Sequence, residues 1–367
     1  MKERPIIFSI LFFCIGTAHA QDSVTLYGVI DSGISYTNND NGKKLWSAVS
    51  GATSGSRWGL KGAEDLGGGL KAIFTLESGF NAFTGAPNIS GRMFGRQAFV
   101  GFAGHFGSVT LGRQQDPIND YVAQYTSNGA WGGWYFSHPE DVDNTDLGFF
   151  INNAVKFTSQ NNGGFTFGGI YSFGGVAGKM SRNQIWGVGG NYSHGAISAG
   201  LAYEEIRNPA TAVEGYTNGG GFTNVVYGAY LAAASSQNIF GVGAGYSDGP
   251  VQLLASFTNT TFKNGVSNAD VAFNNYEIAA AYSLTPAFQI NGGYTYTTGR
   301  QNASSYRPKY HQFNLMADYN LSKRTDVYVQ TSYQLAAGDA TQAQNAGFDA
   351  SSTKRQLAFR TALRHLF

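Results

Sequence analysis

The chain has 367 residues, with 24 lysines and arginines against 23 aspartates and glutamates, so no bulk charge draws it to nucleic acid or to an anionic surface. Its only cysteine is Cys14, which excludes a disulfide framework, and no stretch after Ala20 approaches the roughly 20 apolar residues of a spanning helix. Glycine (50), phenylalanine (27) and tyrosine (21) are abundant instead, a mixture that suits glycine-pleated, aromatic-bordered strands.

Residues 1–20 carry Lys2 and Arg4, an apolar run from Ile6 to Ile15, and Thr17-Ala18-His19-Ala20. This is the layout of a cleavable secretory signal and predicts an exported chain whose mature form begins at Gln21. Without Lys2, Glu3 and Arg4 the basic and acidic totals become 22 and 22, and no thiol remains.

Residues 21–367 read as one domain, a repeated unit of an alternating segment, a tight turn, another segment and a longer polar stretch. Strands are predicted over 24–37, 52–63, 70–81, 92–103 and 107–114, then 151–160, 165–173, 183–192, 197–206 and 238–246. The series ends with 251–262, 274–283, 287–299, 309–319, 325–335 and 354–367. Turn-forming clusters such as Asn161-Asn162-Gly163-Gly164 and Ser247-Asp248-Gly249-Pro250 join alternate pairs. The reading is therefore all-β: a 16-stranded antiparallel transmembrane β-barrel with seven short turns on one rim and long loops on the other. Its last strand sets Leu357, Phe359, Leu363, His365 and Phe367 on one face and Arg360 and Arg364 on the other, ending in the carboxy-terminal aromatic of an outer-membrane barrel.

A barrel this wide is not filled by its own wall side chains, so its centre must hold water or a folded segment. Residues 115–150 are the longest interruption, dense in Tyr121, Tyr125, Trp131, Trp134, Tyr135 and Phe136 and in acids. Such a loop is expected to fold into the lumen and narrow it. Period two turns Arg57, Lys61, Glu77 and Lys156 inward, and Arg96 too if Gln97, Phe99 and Gly101 face out. The expected constriction thus has basic Arg57, Arg96 and Lys156 on the wall, with Glu77, and acidic Asp116 and Asp120 across it on the loop. Facing charges would set a transverse field, and the cationic excess would favour anions weakly.

Three motifs carry a resemblance: Ser23-Val24-Thr25-Leu26-Tyr27-Gly28-Val29-Ile30-Asp31, the run from Ser56 to Ala72, and Gly107-Ser108-Val109-Thr110-Leu111-Gly112-Arg113-Gln114. Over the whole mature chain the sequence resembles the general diffusion porins of Gram-negative outer membranes, in the β-proteobacterial branch with the neisserial porins and an anion-selective comamonad porin. The resemblance implies a homotrimer of sixteen-stranded barrels whose third external loop folds inward. It also implies that Arg57, Arg96 and Lys156 occupy the family's basic cluster and that Glu77 and Asp116 are its acidic counterpart. Lys156 stands where some relatives have arginine, which keeps the charge and loses the planar fork.

Blander readings accompany these. Arg57 and Arg96 could be wall charges that hold the insert, and the loop aromatics are expected to pack it against the wall rather than form a sugar slide. Asp141-Val142-Asp143-Asn144-Thr145-Asp146 alternates oxygen ligands but lacks the glycine and terminal glutamate of a calcium loop, so a solvated acidic loop is the default. The scattered histidines and the lack of a nucleophile elbow argue against an enzyme. The tracts around Gly187 and Gly241 read as close strand packing. No cofactor is expected. Partners are the chain itself, membrane lipid, and small hydrophilic solutes and inorganic ions. A passive weakly selective channel, a solute-specific channel and an anchor with a plugged lumen remain the function classes.

Overall fold

The computed structural model describes residues 23–89, 91–213, 222–302 and 304–367, and the expected signal and mature start lie outside them. Alternating segments form β1 (Ser23–Asp40), β2 (Lys43–Ser50), β3 (Arg57–Gly67), β4 (Leu70–Gly79), β5 (Gln97–Gly104) and β6 (Gly107–Gln114). After the 115–150 segment come β7 (Ile151–Thr158), β8 (Phe165–Ser172), β9 (Ile185–His194), β10 (Ile197–Arg207), β11 (Ser236–Asp248) and β12 (Val251–Lys263). The chain ends with β13 (Val271–Thr285), β14 (Phe288–Gln301), β15 (Pro308–Asn320), β16 (Thr325–Gly338) and β17 (Arg355–Leu366).

Each strand pairs antiparallel with its neighbours, and β1 pairs with β17 from Val29↔Leu366 to Thr37↔Ala358, which closes the sheet on itself. On its other edge β1 pairs with β2 over Ser32–Asp40 and with β3 over Ser23–Val29. β2 and β3 are therefore two halves of one stave, and the seventeen segments make a closed 16-strand barrel. The predicted second strand began at Ala52 and missed β2. Gly51–Ser56 is not strand: it leaves the wall where Asp31 Oδ2 accepts the amides of Thr53 and Ser54 at 2.8 and 2.9 Å. That interruption has no signature in hydrophobic period.

The two faces separate as the period requires. Val24, Leu26, Ile30 and Ile34 of β1 are exposed, while Asp31, Ser35 and Thr37 are fully buried. The same holds for exposed Phe313 and Leu315 against buried Gln312 and Asn314 on β15. Apolar-out, polar-in alternation around a closed sheet is the pattern that lipid demands. One face is corrected: Glu77 pairs with Gln97 and Thr75 with Phe99, so Gln97, Phe99 and Gly101 share the inward face and Val100 and Phe102 are the exposed ones. Both faces of β5 are apolar, so its alternation alone did not reveal the direction.

At the seam, Gly28 and Phe367 exchange both backbone hydrogen bonds at 3.1 Å. The Phe367 ring covers Gly28 so closely that a Cβ there would meet Phe367 Cζ at 2.3 Å.

Candidate functional site

Strands β1, β3 and β4 bring Tyr27, Arg57 and Glu77 together, because Tyr27 pairs with Gly59 and Gly59 with Glu77 on the inward face. Arg96 precedes β5 and joins them from irregular backbone. Its Nε donates to Glu77 Oε1 at 2.7 Å, Tyr27 donates to Glu77 Oε2 at 3.0 Å, and Arg57 Nε stands 3.5 Å from Oε2. Two guanidiniums thus share one carboxylate, leaving local positive charge. Glu77 lies between the arginines rather than opposite them. Arg57 is the more open of the pair, its side chain 31 % exposed against 12 % for Arg96.

Sequence reasoning missed the continuation of this cluster. The Phe150 ring has Arg96 at 5.2 Å and Arg113 at 5.3 Å, both at cation–π distance. Arg113 Nε donates to Gly95 O at 2.7 Å and Nη1 to Phe150 O at 3.1 Å. Arg113 was visible in the Gly107–Gln114 motif, but it pairs with Ala98 on the parity of exposed Val109 and Leu111, so period two did not mark it for this cluster.

The 115–150 segment begins with helix α1 (Pro117–Tyr121), capped by Asp116, whose Oδ1 accepts the Asn119 amide at 2.8 Å and whose Oδ2 accepts from Asn144. Asp116 is completely buried, so it organises the segment instead of facing a channel. Burial, with backbone and side-chain donors opposing it, pushes its pKa up to about 7. Asp120 pairs with Lys156 Nζ at 2.5 Å, and Lys156 also donates to Gln115 O at 3.0 Å. The predicted residues therefore assemble as two groups, Arg57 and Arg96 around Glu77, and Lys156 with Asp120 beside capping Asp116.

Glycines explain how the segment docks. Tyr121 lies against Gly189 on β9 and Tyr125 against Gly243 on β11, where added Cβ atoms would meet the rings at 2.5 and 2.8 Å. The tracts read as strand packing are landing places for the segment. Gly133, at φ +60, runs so close to β1's neighbouring turn that a Cβ on it would lie 2.4 Å from both Ala52 O and Thr53 O, and only glycine fits. Beyond it, Tyr135 donates to Ser35 on β1 at 2.8 Å, Trp131 to Gln252 on β12 at 2.9 Å, and Gln312 on β15 donates to Ser137 O at 3.0 Å. Tyr135 and Phe136 are buried with Met316, Tyr328 and Phe348, so the aromatics pack the segment, as the sequence reading expected.

The acidic run is neither solvated nor an ion loop. Asp141 accepts the amides of Asp146 and Gly148 at 2.9 Å, and Asn144 Oδ1 accepts Phe149 N at 2.9 Å, so these oxygens serve the chain's own amides. No metal-holding group of three occurs among the described residues. Asp143 instead contacts His138 Nδ1 at 2.6 Å and accepts from Thr258, while His138 Nε2 lies 3.2 Å from Glu277 on β13. Burial disfavours the imidazolium, but Asp143 and Glu277 outweigh it and push His138 up to about 10. Burial likewise opposes ionised Asp143, yet His138 holds it below the usual carboxylate range.

A family described as Gram-negative porin matches residues 9–339. The chain is 29 % identical to an outer membrane porin protein of Bordetella pertussis across the full length of both. It is 31 % identical to outer membrane porin protein 32 of Delftia acidovorans, over 89 % of this chain and 88 % of that one. The solved anion-selective porin from Comamonas acidovorans superposes with a TM-score of 0.75 at 28 % identity, covering 94 % of this chain and all of the other. The trimer form of an outer membrane protein of Vibrio cholerae shares the fold at 15 % identity and a TM-score of 0.70, over 94 % and 99 % of the two chains.

Proposed function

The chain belongs to the Gram-negative porin family of outer-membrane channels, and from that premise we propose that it passes small hydrophilic solutes and ions by passive diffusion with a weak preference for anions. The observation that carries the preference is the pair Arg57 and Arg96 on the single carboxylate of Glu77. Net positive charge on a low-dielectric wall concentrates anions beside it. The description of the Comamonas porin as anion-selective agrees with this reading.

In this proposal residues 115–150 lie inside the barrel as its constriction. Their partners sit on β1, β7, β12, β13 and β15, around nearly the whole wall, and a segment outside a closed barrel could not reach them all. The buried aromatics favour general diffusion over a solute-specific track, because their faces are spent on packing. The channel works without cofactor or chemistry. A homotrimer is the assembly that the family resemblance supports, and Phe367, with its carboxy-terminal position and seam contacts, is proposed as the assembly signal.

The test is the reversal potential of the purified protein in a planar bilayer under a potassium chloride gradient. Large stable steps reversing towards the chloride potential are expected. Reversal towards potassium would refute the anion preference, and the absence of steps from folded protein would refute the channel. Deleting part of the segment between Tyr121 and Asp146 should raise conductance; an unchanged conductance would remove the segment from the constriction.

A further inference from the structure

Most inward cations of the wall are matched to carboxylates. Arg57 and Arg96 share Glu77, Lys156 meets Asp120 at 2.5 Å, Arg360 meets Asp31 at 2.8 Å, and Arg364 meets Asp326 at 3.0 Å and Asp318 at 3.4 Å. Arg113 is different. It is buried, 7 % exposed, and among the described residues no carboxylate stands within ion-pair distance of it. Its Nε and Nη1 donate to Gly95 O, Phe150 O and Asn152 Oδ1, the last at 2.5 Å, and its buried Nη2 has no hydrogen-bond partner among the described residues. Neutral oxygens solvate a guanidinium without cancelling it. The full charge therefore stays in the wall, where a low dielectric carries its field further than water would.

The position of that charge connects it to the pore. A register shift between Gly112 and Gln114, where β6 pairs with β7, sits at Arg113 itself. Such a bulge re-aims a side chain, which is how a residue on the parity of Val109 and Leu111 reaches Gly95 before β5 and Asn152 on β7. Phe150 is fully buried and has the guanidiniums of Arg96 and Arg113 at 5.2 and 5.3 Å from its ring centre. The two cations therefore stand within roughly 11 Å of each other, about one screening length at 0.1 M salt, with a buried ring against both. Arg96 is the pore-side member of the two, through its bond to Glu77.

We propose that Arg113 is a specificity-determining residue that acts from within the wall: its uncancelled charge adds to the one left over at Glu77 and strengthens the preference for anions. This role rests on the anion preference proposed above and enlarges its source beyond the arginines on Glu77. A brace for the wall would need only the fork of donors, whereas a source of field needs only the charge.

Substitution separates the two. Asn152→Asp keeps the acceptor 2.5 Å from Nη1 and makes it a carboxylate, so the charge is cancelled while the fork stays. Arg113→Met removes both, and Arg113→Lys keeps the charge but loses the fork. Reversal potentials of the full mature protein are compared in planar bilayers under potassium chloride gradients. In dilute salt, Asn152→Asp and Arg113→Met should each lower the anion-to-cation permeability ratio about twofold. Arg113→Lys should recover most of what Arg113→Met loses, and the differences should shrink near 1 M salt, where the screening length falls to about 3 Å. Single-channel conductance of Asn152→Asp should match wild type, which reports an intact barrel. An unchanged ratio in Asn152→Asp would overturn the proposal, and so would a ratio lowered as far by Arg113→Lys as by Arg113→Met, which would leave the fork as a brace. The shift between variants reads Arg113 whichever ion wild type prefers, so wild-type reversal towards potassium would refute the anion preference alone.

Discussion

Glu77 sets the electrical character of its neighbourhood because it is outnumbered. With Arg96 at 2.7 Å and Arg57 at 3.5 Å, it holds both heads on the inward wall while cancelling one charge. Arg57→Ser with Arg96→Ser should lower the anion-to-cation permeability ratio severalfold, read as a shift of reversal potential towards potassium. An unchanged ratio would make the arginines braces for the wall. Glu77→Gln should move the ratio the other way. Of this group, Arg57 and Glu77 were legible from period two, since their strands have one clearly apolar face. Arg96 was reached by a mistaken face for β5, and it joins only because irregular backbone before Gln97 lets its side chain return to Glu77. Such a return depends on tertiary geometry that no periodicity encodes.

The 115–150 segment is an element without regular structure, and its order comes from the wall. Gly243 on β11 leaves room for the Tyr125 ring, so Gly243→Val should push the segment off its seat and raise single-channel conductance with larger open-channel noise. Equal conductance and noise would mean that the seat is dispensable. Charge binds the other end. His138 has its folded pKa raised from 6.5 to about 10, so the stabilisation it contributes is complete below about pH 6.5 and is lost as pH rises through about 10. Asp146, raised by burial to about 7, acts in the same direction. Asp143, depressed, contributes above its ordinary 3.8 and loses that contribution as pH falls through its lower folded value. Protease cleavage within 115–150 should therefore increase from pH 7 to 10, and His138→Gln should flatten that dependence. The sequence announced the segment by its length and aromatics. It could not announce Asp143 and Glu277 as partners of His138, because they meet it from the same loop and from a strand 139 residues away.

At the scale of the molecule, composition and alternation were enough for a closed antiparallel wall, because lipid allows few other solutions. Sixteen staves emerged from counting, although β2 and β3 had to be recognised in the structure as halves of one. The wall's seam concentrates buried charge: Arg360 Nη2 lies 2.8 Å from Asp31, both fully buried, and Tyr328 donates to Asp31 at 2.8 Å. Arg360→Met would strand Asp31 at a cost of about 3–5 kcal/mol. It should show as a lower unfolding midpoint in urea-driven bilayer extraction, while ion selectivity persists; an unaltered midpoint would mean that Thr53 and Ser54 suffice to hold Asp31.

The seam also joins residues at opposite ends of synthesis. Asp31 and Arg360 are 329 positions apart, so the wall remains an open ribbon with two bare edges until β17 pairs with β1. No partial product can seal itself, and closing so long a loop comes late because its entropy must be met before its bonds form. A chain that lacks β17 is left with β1 and β16 as bare edges, and the bonds that seal the wall are then a check that its last stave is in place.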